Sequence, residues 1–129
     1  MAELTSSIII PAYNCADTLR ECVESIFTQT VQVLEIIVVD DKSSDETIEV
    51  AKGLSGVTVV QHTQRGGAGA ARVSGVGAAS GDLVVFIDSD CVAPPNWVES
   101  IENNFAQDPE LGAVGGMYRH PRTDTLAAI

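Results

Sequence analysis

The sequence predicts one α/β domain: a mostly parallel sheet with helices on both faces. Short runs rich in Ile and Val recur along the chain, each about a strand long. They are apolar at successive positions, not at alternate ones, which is the pattern of strands buried on both faces. Between them lie segments with helical spacing or many small residues, so strands and helices alternate. At 129 residues the chain has the length of a single domain, and its 45% apolar content excludes disorder as a whole. Such a chain buries roughly two thirds of its unfolded surface, so neither disulfides nor a structural metal is required for folding.

Ser7-Ile8-Ile9-Ile10-Pro11 is a β-branched run closed by proline and reads as the first strand. Ala16 to Thr28 carries Leu19, Cys22, Val23, Ile26 and Phe27 at helical spacing, with Asn14 or Asp17 as the cap. Leu34 to Val39 is a second strand ending in Asp40-Asp41. Ser43-Ser44-Asp45-Glu46 starts a short helix that runs to about Lys52 and stops at Gly53. Val57 to Gln61 is a third strand, and Gly66 to Ala79 a glycine-rich turn leading into a close-packing helix. Leu83 to Ile87 is a fourth strand followed by Asp88-Ser89-Asp90. Pro94 to Phe105 is helical with Pro94 or Pro95 in its first turn, and Leu111 to Val114 is a weaker fifth strand.

In open parallel sheets, ligands lie beyond the carboxyl ends of the strands. Three clusters fall there: Pro11-Ala12-Tyr13-Asn14, Asp40-Asp41 and Asp88-Ser89-Asp90. The sequence therefore predicts that they meet at one edge. Asp88 and Asp90 repel each other unless a cation relieves them, and their hard oxygens suit magnesium or manganese. The alternative is that one of them caps the next helix. Asp40 or Asp41 can accept a hydrogen bond from a base, or lie in a solvated turn. Tyr13 can stack on a base, or pack on the first helix. The stretch from Arg65 to Arg72 can bring backbone donors and a guanidinium to an anion, or supply small residues for packing. It is not a phosphate-binding P-loop, because no Gly-Lys-Ser/Thr follows. His62 and His120 are expected in surface or loop positions, and Trp97 in packing. No Ser/His/Asp or Cys/His nucleophile arrangement is expected at these strand ends.

Eighteen acidic against seven basic residues give a formal net charge of -11. That charge disfavours nucleic acid and anionic membranes, and an anionic ligand would need a local divalent cation. Cys15, Cys22 and Cys91 form no CxxC pair and read as unbridged thiols of a reducing compartment. MAELTSS has no basic leader with an apolar core, and no run reaches the length of a membrane span. The expected location is cytoplasmic.

Taken in order, SSIIIPAYNCADTLRECVESIFTQT, LEIIVVDDKSSDET, GGAGAARVSGVGAASGDLVVFIDSDC and PPNWVES resemble the family 2 glycosyltransferases, from about Ser6 to Gly116. The resemblance implies the Rossmann-like GT-A nucleotide-diphospho-sugar transferase fold. It implies that Pro11, Ala12, Tyr13 and Asn14 form the nucleotide-contacting first loop and that Asp41 is the uracil-binding aspartate. Asp88-Ser89-Asp90 would be the DxD motif, with Asp90 on the Mn2+ or Mg2+ that meets the diphosphate. Asp88 would contact ribose or sugar near that metal, with Ser89 beside the nucleotide. Arg72 matches the basic position of the family's ARN-like segment, where Val73 replaces the usual Asn.

The implied donor is a UDP-sugar, and the implied acceptor a polysaccharide or lipid-linked glycan. Inverting members use a carboxylate base well downstream of the DxD. The acids after Glu102 are Asp108, Glu110 and Asp124, none in a matching pattern. The expectation is that residues 1–129 form the nucleotide-sugar-binding half, with the catalytic base and acceptor half beyond residue 129. A face left open by their absence would favour a homo-oligomer, and the full-length enzyme would lie in the cytoplasm or at the cytoplasmic face of a membrane. The competing class is a non-catalytic nucleotide-binding module. Haloacid-dehalogenase phosphatases and phosphoacceptor receiver domains share FIDSDCV or VVDD, but both need a lysine beyond the aspartate. Lys42 and Lys52 both precede Asp88.

Overall fold

The computed structural model describes residues 3–119 and 126–128. In chain order the elements are β1 (Ser6–Ala12), α1 (Leu19–Phe27), β2 (Glu35–Asp40), α2 (Thr47–Lys52) and β3 (Val57–Gln61). They continue as α3 (Gly67–Ala78), β4 (Leu83–Phe86), α4 (Trp97–Gln107), β5 (Met117–Arg119) and β6 (Leu126–Ala128). The main sheet has the order β3-β2-β1-β4, and each pair is parallel. β5 and β6 form a separate antiparallel pair.

Alternation along β1 divides the core. Ile8, Ile10 and Ala12 face one side with Ile36 and Val38, against α1, α2 and α4. Ile9 faces the other with Ile37 and Val39, against Ala71 of α3. Helix α1 supplies Leu19, Cys22, Val23 and Ile26, all buried and at the spacing of one helix face. Helix α3 comes in close because Gly75 has no side chain: a Cβ there would collide with Ile9 Cγ2. The expected parallel sheet covered on both faces is therefore present, with three helices on one side and one on the other. On the α3 side the edge strand β4 leaves Val84 and Phe86 partly exposed.

Three local expectations are corrected. Leu111 to Val114 is not a strand, and Gly112 to Val114 are exposed. Gly112 interrupts that run and costs backbone entropy, so too little apolar surface is left to fix a strand. Helix α1 starts at Leu19, and neither Asn14 nor Asp17 caps it; Thr18 stands at the cap without a side-chain bond. Asn14 has φ 49°, and its Oδ1 instead accepts from the Ser44 and Asp45 amides at 2.8 and 3.3 Å. It thus ties the loop after β1 to the loop after β2. Pro94 and Pro95 precede α4, whose cap position is Asn96. Trp97 packs against the larger core, as expected.

Candidate functional site

Parallel pairing sets Ala12 opposite Asp40 and Ile9 opposite Phe86, so β1, β2 and β4 end at the same edge. A cleft of about 580 Å³ opens there. Pro11, Ala12, Tyr13, Asn14, Asp41, Asp88, Ser89 and Asp90 all line it, with Arg65 and Ala68 closing the α3 side. Strand register, not proximity in sequence, brings these residues together. Arg72 does not line the cleft, but its Nη2 lies 3.4 Å from Asp88 Oδ1. Asp40 turns away from it: Oδ2 accepts from the Ser43 amide at 3.2 Å, and buried Oδ1 has no hydrogen-bond partner among the described residues.

Asp41 is the most constrained of these groups, its side chain only 3% exposed. Oδ1 accepts from the Gly66 amide at 2.9 Å and lies 2.9 Å from His62 Nδ1. Oδ2 accepts from the Gly67 amide at 2.8 Å and faces Arg65 Nε at 3.5 Å. Led by the Gly66 amide and then His62, these donors pull the carboxyl down to about 2. Asp41 stabilises the fold fully above its ordinary value near 3.8 and loses that contribution as pH falls toward 2. Thermal melting between pH 4 and 2, ranges set by those two values, should show Asp41→Asn losing less stability than the wild type. Parallel melting curves for the two proteins would refute this account.

His62 follows β3 in a loop, as expected, but both ring nitrogens have partners. Its Nε2 lies 2.7 Å from Ser74 Oγ, so Asp41, His62 and Ser74 form a hydrogen-bonded chain behind the strand ends that the sequence did not reveal. Ionised Asp41 only accepts, so Nδ1 carries the proton toward it, and Nε2 shares a hydrogen bond with the Ser74 hydroxyl. Neither His62 nor Ser74 lines the cleft. The chain therefore braces Asp41 from behind and presents no nucleophile to a ligand. Register carries the signal that would have found it: Asp40 pairs with Gln61, which sets His62 beside Asp41. His120 lies outside the described residues.

The ligand atoms of Asp88, Asp90 and Cys91 lie within 4.8 Å of one another. Two carboxylates fit magnesium or manganese, with a ligand's phosphates and water completing the shell. Cys91 is a softer donor that magnesium does not favour, and its sequence context carries no ligand signal. Cys22 lies behind this group with its Sγ 3.4 Å from the Asp88 carbonyl, and burial pushes its thiol up to about 12. It stays protonated at neutral pH and is no nucleophile. None of Cys15, Cys22 and Cys91 is in a disulfide.

Comparison with known proteins decides the family. The family described as Glycosyl transferase family 2 matches residues 7–128. The chain belongs to this family. Among its relatives, the glycosyltransferase GlyG of Streptococcus pneumoniae is 33% identical over 96% of this chain. The chondroitin synthase of Pasteurella multocida is 36% identical over 92% of it. The chain spans 42% of the first protein's length and 12% of the second's. Crystal structures of TarS from S. aureus share the fold: the one in complex with UDP superposes with a TM-score of 0.74 at 26% identity. That match covers 81% of this chain and 32% of the TarS chain. A further TarS structure holds UDP-GlcNAc. The glycosyltransferase family and the GT-A fold read from the sequence are thus borne out. Among the described residues, no helix is long and apolar enough to cross a membrane.

Proposed function

We propose that this chain is the nucleotide-sugar-binding part of a metal-dependent, inverting glycosyltransferase that uses a UDP-sugar. The observation that carries the reading is one cleft combining an exposed aromatic ring, a buried carboxylate and a carboxylate pair at three strand ends. Tyr13 offers a face to the base, and Asp41 offers an acceptor to a ring N–H. The TarS complexes with UDP and UDP-GlcNAc support the choice of donor. Asp90 and Asp88 would hold Mn2+ or Mg2+, which as a Lewis acid stabilises the charge that develops on the departing diphosphate. Such an ion also reconciles a chain of net charge -11 with an anionic donor.

Arg72, within reach of Asp88, keeps that carboxylate oriented and adds positive charge beside the phosphates. Ser89 lies between the two carboxylates and lines the same cleft. We assign the base that deprotonates the acceptor hydroxyl to the part of the relatives' length that this chain does not span. The acceptor would be a polysaccharide or lipid-linked glycan, in keeping with the polymer synthases among the relatives. Cysteines without disulfides suit the cytoplasm.

Calorimetric titration of UDP into the 129-residue chain tests the donor site. Binding is expected with manganese, to weaken at least about tenfold with excess chelator, and to weaken as much in Asp90→Ala. UDP binding indifferent to both chelator and Asp90→Ala would remove the metal from the site. No UDP binding under any condition would remove the donor.

A further inference from the structure

The Arg65 guanidinium lies over the Tyr13 ring, with its central carbon 3.4 Å from the ring centroid. Its Nε stands 3.5 Å from Asp41 Oδ2. These are the two groups that the proposed function gives to the nucleobase, and one side chain of the protein already engages both. A carboxylate oxygen accepts about two hydrogen bonds. Asp41 Oδ1 has two donors, the Gly66 amide and His62, and is saturated. Oδ2 has the Gly67 amide and a single direction left, which Arg65 faces.

A guanidinium is flat, stacks on aromatic rings and points N–H groups outward along its edge. A pyrimidine imide presents the same two features, a stackable face and a ring N–H. Tyr13 and Asp41 cannot serve both at once, because a stacking distance of 3.4 Å leaves no space for a ring between Arg65 and Tyr13. The Arg65 side chain is 55% exposed, so solvent can take it up when it leaves. The Arg65–Asp41 pair is long at 3.5 Å and open to solvent on its Arg65 side, and such a pair and a surface cation–π contact are each weak enough to be displaced.

We propose that Arg65 is a stand-in for the nucleobase: it covers Tyr13 and the last acceptor direction of Asp41 until an incoming base displaces it. The proposal rests on the nucleobase reading of the cleft given above. It makes Arg65 a determinant of donor affinity and selectivity, because a base must supply both a stackable face and a ring N–H to replace what the guanidinium supplied. Arg65 also keeps the slot preformed, with the buried carboxylate already oriented by Gly66, Gly67 and His62.

Uridine isolates the effect, since it carries no phosphate for the guanidinium to attract. Uridine, and UDP with magnesium, would be titrated into the wild-type chain, Arg65→Ala and Arg65→Lys, and followed by the amide NMR signals of Gly66 and Gly67. Arg65→Ala is expected to bind uridine roughly three- to tenfold more tightly than wild type. Arg65→Lys should fall between them, because an ammonium can pair with Asp41 but cannot lie flat on the ring. Uridine binding that is unchanged or weaker in Arg65→Ala, with wild-type binding intact, overturns the proposal and leaves the base site standing. Absence of both uridine and UDP binding from all three proteins overturns the base site itself, and the proposal with it. The same amide spectra report whether each variant is folded.

Discussion

Replacing Asp41 with alanine is expected to lower stability by roughly 2–4 kcal/mol and to weaken UDP binding at least about tenfold. The carboxylate closes the turn from His62 to Gly67 by accepting from two consecutive backbone amides and from an imidazole. Truncation leaves these donors facing an apolar methyl, and the start of α3 loses its attachment to β2. Asp41→Asn is the sharper variant. Its amide keeps the shape but turns one acceptor oxygen into a donor, which then opposes an N–H of Gly66, Gly67 or His62. Urea unfolding would measure the first effect and calorimetry the second. An alanine variant with the wild-type midpoint and wild-type UDP affinity would show that the turn is held by something else.

Two glycines of one helix should respond with opposite signs. Gly75 faces Ile9, which is fully buried in the central strand between β2 and β4. A Cβ at Gly75 would overlap Ile9 Cγ2 and lie 3.1 Å from both Cγ1 and Cδ1, with no room for the isoleucine to yield. Gly75→Val should therefore cost about 3 kcal/mol, at the upper end of typical overpacking. A Cβ at Gly77 would meet nothing within 4 Å. Gly77→Ala should stabilise the protein by about 0.5–1 kcal/mol, because alanine loses less backbone entropy in a helix. Urea midpoints of the two variants that move in the same direction would contradict the close packing of α3 on β1.

The strands of the main sheet were legible because their residues are buried on both faces, so Ile8 to Ile10 and Ile36 to Val39 carry an uninterrupted apolar signal. The cleft was legible for a related reason. In a parallel sheet the strand ends share an edge, so Tyr13, Asp41 and Asp88 could be grouped without knowing any distance. The partners of Asp41 were not legible. Sequence proximity says nothing about a bond between His62 and Asp41, 21 residues apart, or from Ser74 to the same ring. Both depend on which strands pair and how α3 is rotated. Arg65 was hidden likewise: its stretch suggested an anion site, whereas its guanidinium rests on Tyr13. Helix caps failed because Asn14 had two competing uses, and tertiary contact with the loop after β2 prevailed over the local cap.

The strand order also governs how the chain must assemble as it is made. β1 borders β2 through residues such as Ser7 and Glu35, 28 positions apart, but its other edge waits for a segment 77 positions away, as the Thr5–Asp82 bond shows. On a ribosome adding about 5–20 residues per second, the interval between the two pairings lasts roughly a few seconds. Throughout it, one edge of β1, whose Ile8, Ile9 and Ile10 end up fully buried, stands open, with its amides and carbonyls unpaired toward β4's place. Vulnerability to aggregation therefore belongs to the nascent chain before Phe86 has emerged. Chaperone engagement is best sought there, while β1 has a single neighbour.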